Sequence, residues 1–404
     1  LQRENPMRWV YAALLLLASM MNYIDRQTLS VLIVTIQRDL HFNDVQYGYV
    51  VQAFLLAYMV MYVVSGRLVD RYGAKRTQAF FLLAWSVADA LTGFATGFRS
   101  LALSRAALGA AEPGNYTASL RAAGDWFSQK QRSIAVGIYS MGGTLGAAIA
   151  VPVSAGLALR FGWRSAFFFT GACGIVIALL WILIYQDPEE RRISPERVPW
   201  ASVLRQPYIL EMLFTRMMTD SVWYFFLFWS LKYMQESHGL KLKVVGETLW
   251  VLYVAADIGS LLGGFLSARA IGQFGAVGAR FAVMLPAAAC MLLLAVIPGL
   301  HSTTAAAGLL SFLALCHMAW MTNATTMTLD LYPRTMATTI QGMIGAASAA
   351  GGLLSAALIS RSISTFGYTP IFYGMALMHP LAAILLYTRL RPAIVRRSLP
   401  VRKA

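Results

Sequence analysis

The chain has 404 residues, of which 58% are hydrophobic and 13% charged, with a formal net charge of +15. Soluble domains carry about 25% charged residues, so this composition excludes an ordinary soluble domain; the recurring apolar runs are instead long enough to cross a bilayer as helices. The cations lie in alternating loops, which argues against a nucleic-acid-binding face and fits a polytopic protein obeying the positive-inside rule, and the alternating segments of a β-barrel are missing from the sequence.

The sequence predicts an all-α polytopic membrane protein with twelve spans, near residues 9–36, 46–66, 77–97, 101–121, 133–159, 163–185, 207–234, 244–269, 280–298, 303–329, 336–362 and 368–390. The first run is too long for a cleavable leader and has no small-residue cleavage site. Within it, "MNYIDRQTL" (20–28) sets Asp25 and Arg26 side by side at mid-span, beside Asn22 and Tyr23. The second span holds Tyr58, and the third holds Asp89, for which the sequence offers no partner. The fourth carries Arg105 and Glu112, seven residues or two turns apart and so on one face. Tyr139, Gly142, Gly143 and Gly146 follow in the fifth.

A charged, Pro-rich stretch from Gln186 to Gln206 then divides six spans from six. The expected organisation is an N-terminal bundle (1–186), a cytoplasmic linker (187–206), a C-terminal bundle (207–390) and a basic tail (391–404). In the seventh span Arg216 and Asp220, four apart, should pair locally, followed by Trp223 and Tyr224. Asp257 lies in the eighth, and Thr322, Asn323 and Thr325 form a polar patch in the tenth. His317 and His379 read as core histidines, and Cys173, Cys290 and Cys316 as small buried hydrophobes.

Charge placement gives the orientation. With both termini cytoplasmic, the inner loops receive Arg67, Arg71, Lys75, Arg76, Lys130, Arg132, Arg191, Arg192 and the tail. The outer loops receive a thinner set that includes Arg38, Arg99, Arg160, Lys241 and Arg361. The halves also repeat: "FGWRSAFFF" (161–169) echoes "FGYTPIFYG" (366–374), and "RSIAVGI" (132–138) echoes "RTMATTI" (334–340). Parallel repeats with a binding site between them at mid-depth are the plan of alternating-access carriers.

"GRLVDRYGAKR" (66–76) resembles the loop signature of the major facilitator superfamily, in which Gly66 permits close packing, Gly73 a tight turn, and Asp70 and Arg71 act near the inner gate. "YIDR", "GAAEPGNY", "RSIAVGIYSMGG", "DSVWYFFLFW" and "ADIGSLLGG" are similar to the anion:cation symporter family, over nearly the whole chain. That resemblance implies a monomeric carrier of the bacterial inner membrane, embedded in lipid, that moves a small sugar acid anion with protons and needs no cofactor. "GAAEP", "VWYFFLFW" and "ADIGSLLGG" point to the hexuronate branch, and Asp25 in "YIDR" toward the galactonate branch. A drug/proton antiporter fits less well, because "GGTLGAAIAVP" in span five lacks the Gly-Pro of those carriers. No metal-ligand spacing or phosphate loop points to an enzyme.

Charges at mid-membrane cost at least about 2.5–3.5 kcal/mol each, so they are kept where they pair or work. Arg26 is the expected receptor for a carboxylate, since its planar fork can bind one bidentately. Glu112, paired with Arg105, and Asp25, competing for Arg26, are the expected proton carriers, giving two acids and two bases of near-zero net charge. Arg105, Tyr23, Tyr58, Tyr139, Trp223, Tyr224, Thr322 and Asn323 are the further substrate-binding candidates. Asp70, Arg71, Gly66 and Asp257 are the candidates for gating.

Overall fold

The computed structural model describes residues 6–127, 129–188, 199–332 and 336–398, without the side chains at 70, 129–134, 329, 337–338 and 391–398. Asp70, Lys130, Arg132, Arg191, Arg192 and the end of the basic tail therefore lie outside the described side chains.

The described residues are almost entirely helical. The first half comprises α1 (Met7–Leu40), α2 (Asp44–Tyr72), α3 (Ala74–Thr92), α4 (Phe98–Ala111), α5 (Pro113–Trp126), α6 (Gln129–Phe161) and α7 (Trp163–Ile184). After the short α8 (Trp200–Leu204) come α9 (Ile209–Phe228), α10 (Ser230–Ser237), α11 (Leu242–Thr248) and α12 (Val251–Cys290). A 3-10 segment (Met291–Gly299), α13 (Thr303–Leu331), α14 (Ala337–Phe366) and α15 (Thr369–Ser398) complete it.

Each of the twelve expected spans falls on helix. Eight stretches among the described residues are long and apolar enough to cross a membrane unaided, and one of them, Leu242–Gly299, covers two expected spans because α12 continues through a break at Gly275. The expected spans 77–97, 101–121 and 207–234 are not among the eight. They carry Asp89, Arg105 with Glu112, and Arg216 with Asp220, and all five of these charged side chains are buried.

The internal repeat reappears as backbone geometry. Gly73 (φ 85°), between α2 and α3, corresponds to Gly275 (φ 68°), and Gly162 (φ 84°), before α7, to Gly367 (φ 75°), before α15. An L side chain is strained at those angles, which explains glycine in these four turns. Gly66 differs from expectation: a Cβ there would meet nothing within 4 Å, so no close approach requires glycine.

The contacts form two compact units. One is Leu1–Pro195 with Leu227–Trp250 and Ala356–Ser364; the other is Glu196–Phe226, Val251–Ser355 and Thr365–Ala404. In the first, α1 lies so close to α6 that a Cβ on Gly142 would sit 2.6 Å from the Leu16 carbonyl oxygen, and one on Gly146 2.3 Å from that of Met20. In the second, α9 meets α14 closely: a Cβ on Gly351 would sit 2.0 Å from the Met217 carbonyl oxygen, and one on Gly352 2.5 Å from the Tyr224 ring. Small residues that let backbones touch are the usual packing device where lipid removes the hydrophobic drive.

Candidate functional site

The site in the first unit is built around a helix break. Glu112 ends α4 and caps α5, and Pro113, lacking an N–H, begins the new helix. The exposed backbone is satisfied locally: the Glu112 carbonyl accepts from the Asn115 N–H (3.1 Å) and from Asn22 Nδ2 (3.4 Å). Gly109 lets α4 rest on α2, a Cβ there falling 2.2 Å from the Phe54 carbonyl oxygen. Asn115 also links α3 to α1, accepting from Gln78 Nε2 (2.7 Å) and donating to Ser19 Oγ (3.1 Å).

This places Glu112 on Arg26. Arg26 Nε donates to Glu112 Oε2 at 3.0 Å, and Nη2 pairs with the same oxygen. Arg26 is 5% exposed and Glu112 1%. Oε1 of Glu112 is buried without a partner. Three rings box the guanidinium, with its carbon 4.8 Å from the Tyr23 centroid, 5.0 Å from Tyr58 and 5.2 Å from Phe54. Such contacts contribute about 0.5–2 kcal/mol each when desolvated. The aromatic wall runs on from Tyr58 to Tyr62, Tyr116 and Tyr139 at centroid separations of 5.7, 6.1 and 6.3 Å.

The expected pairings are corrected here. Glu112 pairs with Arg26 and not with Arg105, and Asp25 does not compete for Arg26. Arg105, expected to meet substrate, is 2% exposed and occupied elsewhere. Its Nη2 donates to Asp89 Oδ1 (2.8 Å) and Thr92 Oγ1 (2.5 Å), and its Nη1 to the Asp25 backbone carbonyl (3.2 Å). Same-face spacing on one helix suggested a local pair, but partners across helices won. Asp89 thus acquires a role the sequence left open, and Thr170 Oγ1 on α7 donates to its other oxygen at 2.5 Å.

Tyr139 ends the aromatic row but is 2% exposed in a core cluster with Tyr11, Trp126, Trp181 and Tyr185, with its hydroxyl unpartnered. Gly143 makes room for Tyr23: a Cβ there would lie 2.9 Å from the Tyr23 ring.

The second unit holds the other candidates. Trp223 stacks on His317, 5.4 Å apart and 2° from parallel, and His317 Nδ1 lies 3.1 Å from His379 Nε2. Tyr224 packs on Gly352. Arg216 clamps Asp220 with both Nε (3.1 Å) and Nη2 (3.0 Å), as its spacing predicted, and its Nη1 donates to Thr325 Oγ1 at 2.9 Å. Thr322 shares a hydrogen bond with Ser260 at 2.7 Å. Asn323, expected at substrate, spends its amide on the carbonyls of Gly263 (3.0 Å) and Ala319 (2.9 Å), joining α13 to α12. Asp257 is half-buried on α12, and Arg71 is exposed, stacked over Tyr72 at 5.3 Å.

One cluster was missed by sequence reasoning. Lys232 on α10 is fully buried; its Nζ pairs with Asp44 at 2.9 Å and with Glu236. Asp44 also accepts from Gln37 Nε2 at 2.9 Å, and Tyr47 donates to the Phe228 carbonyl at 2.8 Å. These bonds tie the ends of α1 and α2 to the 227–250 segment. The only sequence signal was a lysine inside an apolar run.

Comparison with known proteins follows this geometry. A family profile described as Major Facilitator Superfamily matches residues 15–356. The chain is 28% identical over 418 aligned residues to the hexuronate transporter of Escherichia coli K12, covering 98% of this chain and 97% of that protein. It is 29% identical to the galacturonate transporter of Dickeya chrysanthemi, over 64% of this chain and 81% of the relative. The D-galactonate transporter of Escherichia coli O6:H1 is 25% identical over 94% and 95% of the two chains. Among solved structures, a bacterial homologue of the human lysosomal transporter Spinster, in an inward-facing and occupied conformation, superposes with a TM-score of 0.80. It is 21% identical and is covered completely by 98% of this chain, a likeness of fold.

Proposed function

Because the chain belongs to the Major Facilitator Superfamily, we propose that it is a proton-coupled symporter importing a sugar acid anion by alternating access, with a hexuronate (glucuronate or galacturonate) as its substrate. It is a transporter and not an enzyme. The observation that carries the reading is Arg26, a buried cation walled by Tyr23, Phe54 and Tyr58 and held in place by Glu112. Rings suit the faces of a sugar and a guanidinium suits its carboxylate. The hexuronate and galacturonate transporters among the relatives support the substrate class.

The mechanism follows from one shared guanidinium. With the site empty, Glu112 neutralises Arg26. A proton on Glu112 cancels that attraction, and Arg26 turns to the substrate carboxylate. The bound anion and the proton then cross together, with one negative charge always opposite Arg26, so no uncompensated cation is left in low dielectric. Tyr58 and Tyr23 hold the guanidinium through the exchange. The bacterial relatives support a bacterial inner membrane as its location, and the loop cations support cytoplasmic termini.

A second reading, galactonate, is favoured by Asp25 and by the D-galactonate relative. Counterflow uptake in proteoliposomes with labelled glucuronate, galacturonate and galactonate decides between them. Exchange of either hexuronate above galactonate is expected; exchange of galactonate alone reverses the order, and exchange of none removes the proposal.

A further inference from the structure

Among the described residues, the buried charges gathered around Arg26 and Arg105 do not balance. Asp25, Asp89 and Glu112 face Arg26 and Arg105, three carboxylates against two guanidinium groups, and each is 5% exposed or less. The Arg26–Glu112 pair is neutral by itself. The surplus therefore lies with Asp25, Asp89 and Arg105. Arg105 gives its ion pair to Asp89, and Thr170 binds the other Asp89 oxygen. Asp25 receives none of these donors: both of its carboxylate oxygens are buried and unpartnered. One guanidinium joins the two residues, Arg105 reaching the Asp25 backbone carbonyl with Nη1 (3.2 Å) and Asp89 Oδ1 with Nη2 (2.8 Å). The ionisable groups whose charges act on Asp25 are Asp89 from α3, Arg105 and Glu112 from α4, and Cys173 from α7.

Two carboxylates cannot share so small a space in low dielectric while both are ionised; such pairs hold a proton between them. An acceptor set against an acceptor becomes a hydrogen bond only when one of them is protonated. We propose that Asp25 and Asp89 form a carboxyl pair that binds a single shared proton, clamped by Arg105 and Thr170 and separate from the Arg26–Glu112 pair that receives substrate. Asp89 is then a proton-binding residue and not a structural anchor of span three. Arg105 sets the capacity of the pair at one proton, because its charge matches one of the two acids. The Asp25 backbone carbonyl, held by Arg105 Nη1, ties this pair to the residue before Arg26, so protonation is felt where substrate docks.

The proposal rests on the proton-coupled reading for its purpose, but its test needs no substrate. Infrared difference spectra of the purified carrier in lipid, titrated with pH alone, report the carbonyl stretch of protonated carboxyl groups. Labelling aspartate with 13C in the wild-type protein separates Asp from Glu without any substitution. The expected result is a pH-dependent band that moves on aspartate labelling and is lost in both Asp25→Asn and Asp89→Asn. Asp89→Glu should keep the band at a shifted frequency. A band that ignores the aspartate label, or that survives Asp89→Asn at the wild-type midpoint, overturns the shared pair. So does a band that responds to sodium at constant pH. If counterflow finds no sugar acid substrate while the band behaves as described, the transport reading fails and the proton site stands.

Discussion

Glu112→Gln is the sharpest perturbation of the substrate pair. The substitution keeps shape and hydrogen-bonding capacity but removes the anion paired with Arg26, in an ion pair that is 5% and 0% exposed on its two sides. Breaking a buried pair by removing one partner costs about 3–5 kcal/mol. That loss falls on the empty carrier, because a bound sugar carboxylate supplies the missing charge. In the wild type the same carboxylate must first displace Glu112. The variant should therefore melt well below the wild type when empty and recover most of the difference with saturating substrate. At a pH where Glu112 is ionised, its substrate affinity should exceed that of the wild type by about 100-fold or more, since about 1.4 kcal/mol is tenfold. The sign with pH is fixed: wild-type affinity rises as pH falls and Glu112 is protonated, and the variant loses that dependence. Proteoliposomes provide the assay, with counterflow reporting exchange and an imposed pH gradient reporting accumulation. Exchange without accumulation is expected. A Glu112→Gln carrier that accumulates hexuronate with the wild-type pH profile refutes the exchange of partners on Arg26.

Three further outcomes follow from the geometry. Tyr58→Ala removes one wall of the Arg26 box and should weaken counterflow affinity about 2–30-fold, the equivalent of about 0.5–2 kcal/mol, whereas Tyr58→Phe keeps the ring and most of the affinity; equal losses in both would mean that the hydroxyl and not the ring matters. Gly146→Ala pushes a Cβ to 2.3 Å from the Met20 carbonyl and should lower thermal stability by about 1–3 kcal/mol, while Gly156→Ala on the same helix, where a Cβ meets nothing within 4 Å, should not destabilise; indistinguishable melts would contradict the close α1–α6 contact. Lys232→Gln leaves Asp44 and Glu236 without their buried cation and, because those partners are 21% and 35% exposed, should cost about 1–3 kcal/mol, seen as a lower melting temperature; an unchanged melt would show that the cluster holds nothing.

The spans, the repeat and the inward-facing charges of Arg26 and Glu112 were legible because each leaves a local trace: a long apolar run, a recurring phrase, a charge where charges are expensive. Partners were not. Arg105 and Glu112 sit two turns apart on what reads as one helix, yet Pro113 breaks that helix at Glu112 and each residue reaches across to another element. Asp89 looked solitary because Arg105 and Thr170 are 16 and 81 residues away along the chain. Asn323 looked like a ligand-binding amide because sequence does not say that Gly263 and Ala319 offer carbonyls nearby. Nothing in the sequence tied Gly143 to Tyr23; the packing of α1 on α6 brings the Tyr23 ring against it. Lys232 gave almost no warning, since a lysine near a span end ordinarily reaches water.

The contact of Gly142 and Gly146 with the carbonyls of Leu16 and Met20 has a mechanical meaning. Two helices that touch through side chains can slip, because rotamers between them absorb small displacements. At Gly142 and Gly146 main chain bears directly on main chain, with no rotamer between the two helices at those points. The seam lies close to the site, since Arg26 is three residues beyond the Tyr23 ring that abuts Gly143, and the two helices mesh there like gear teeth. The second unit has its own toothed pair in α9 and α14. Seams of this kind leave little compliance of their own, so compliance must be sought at the seams packed through side chains.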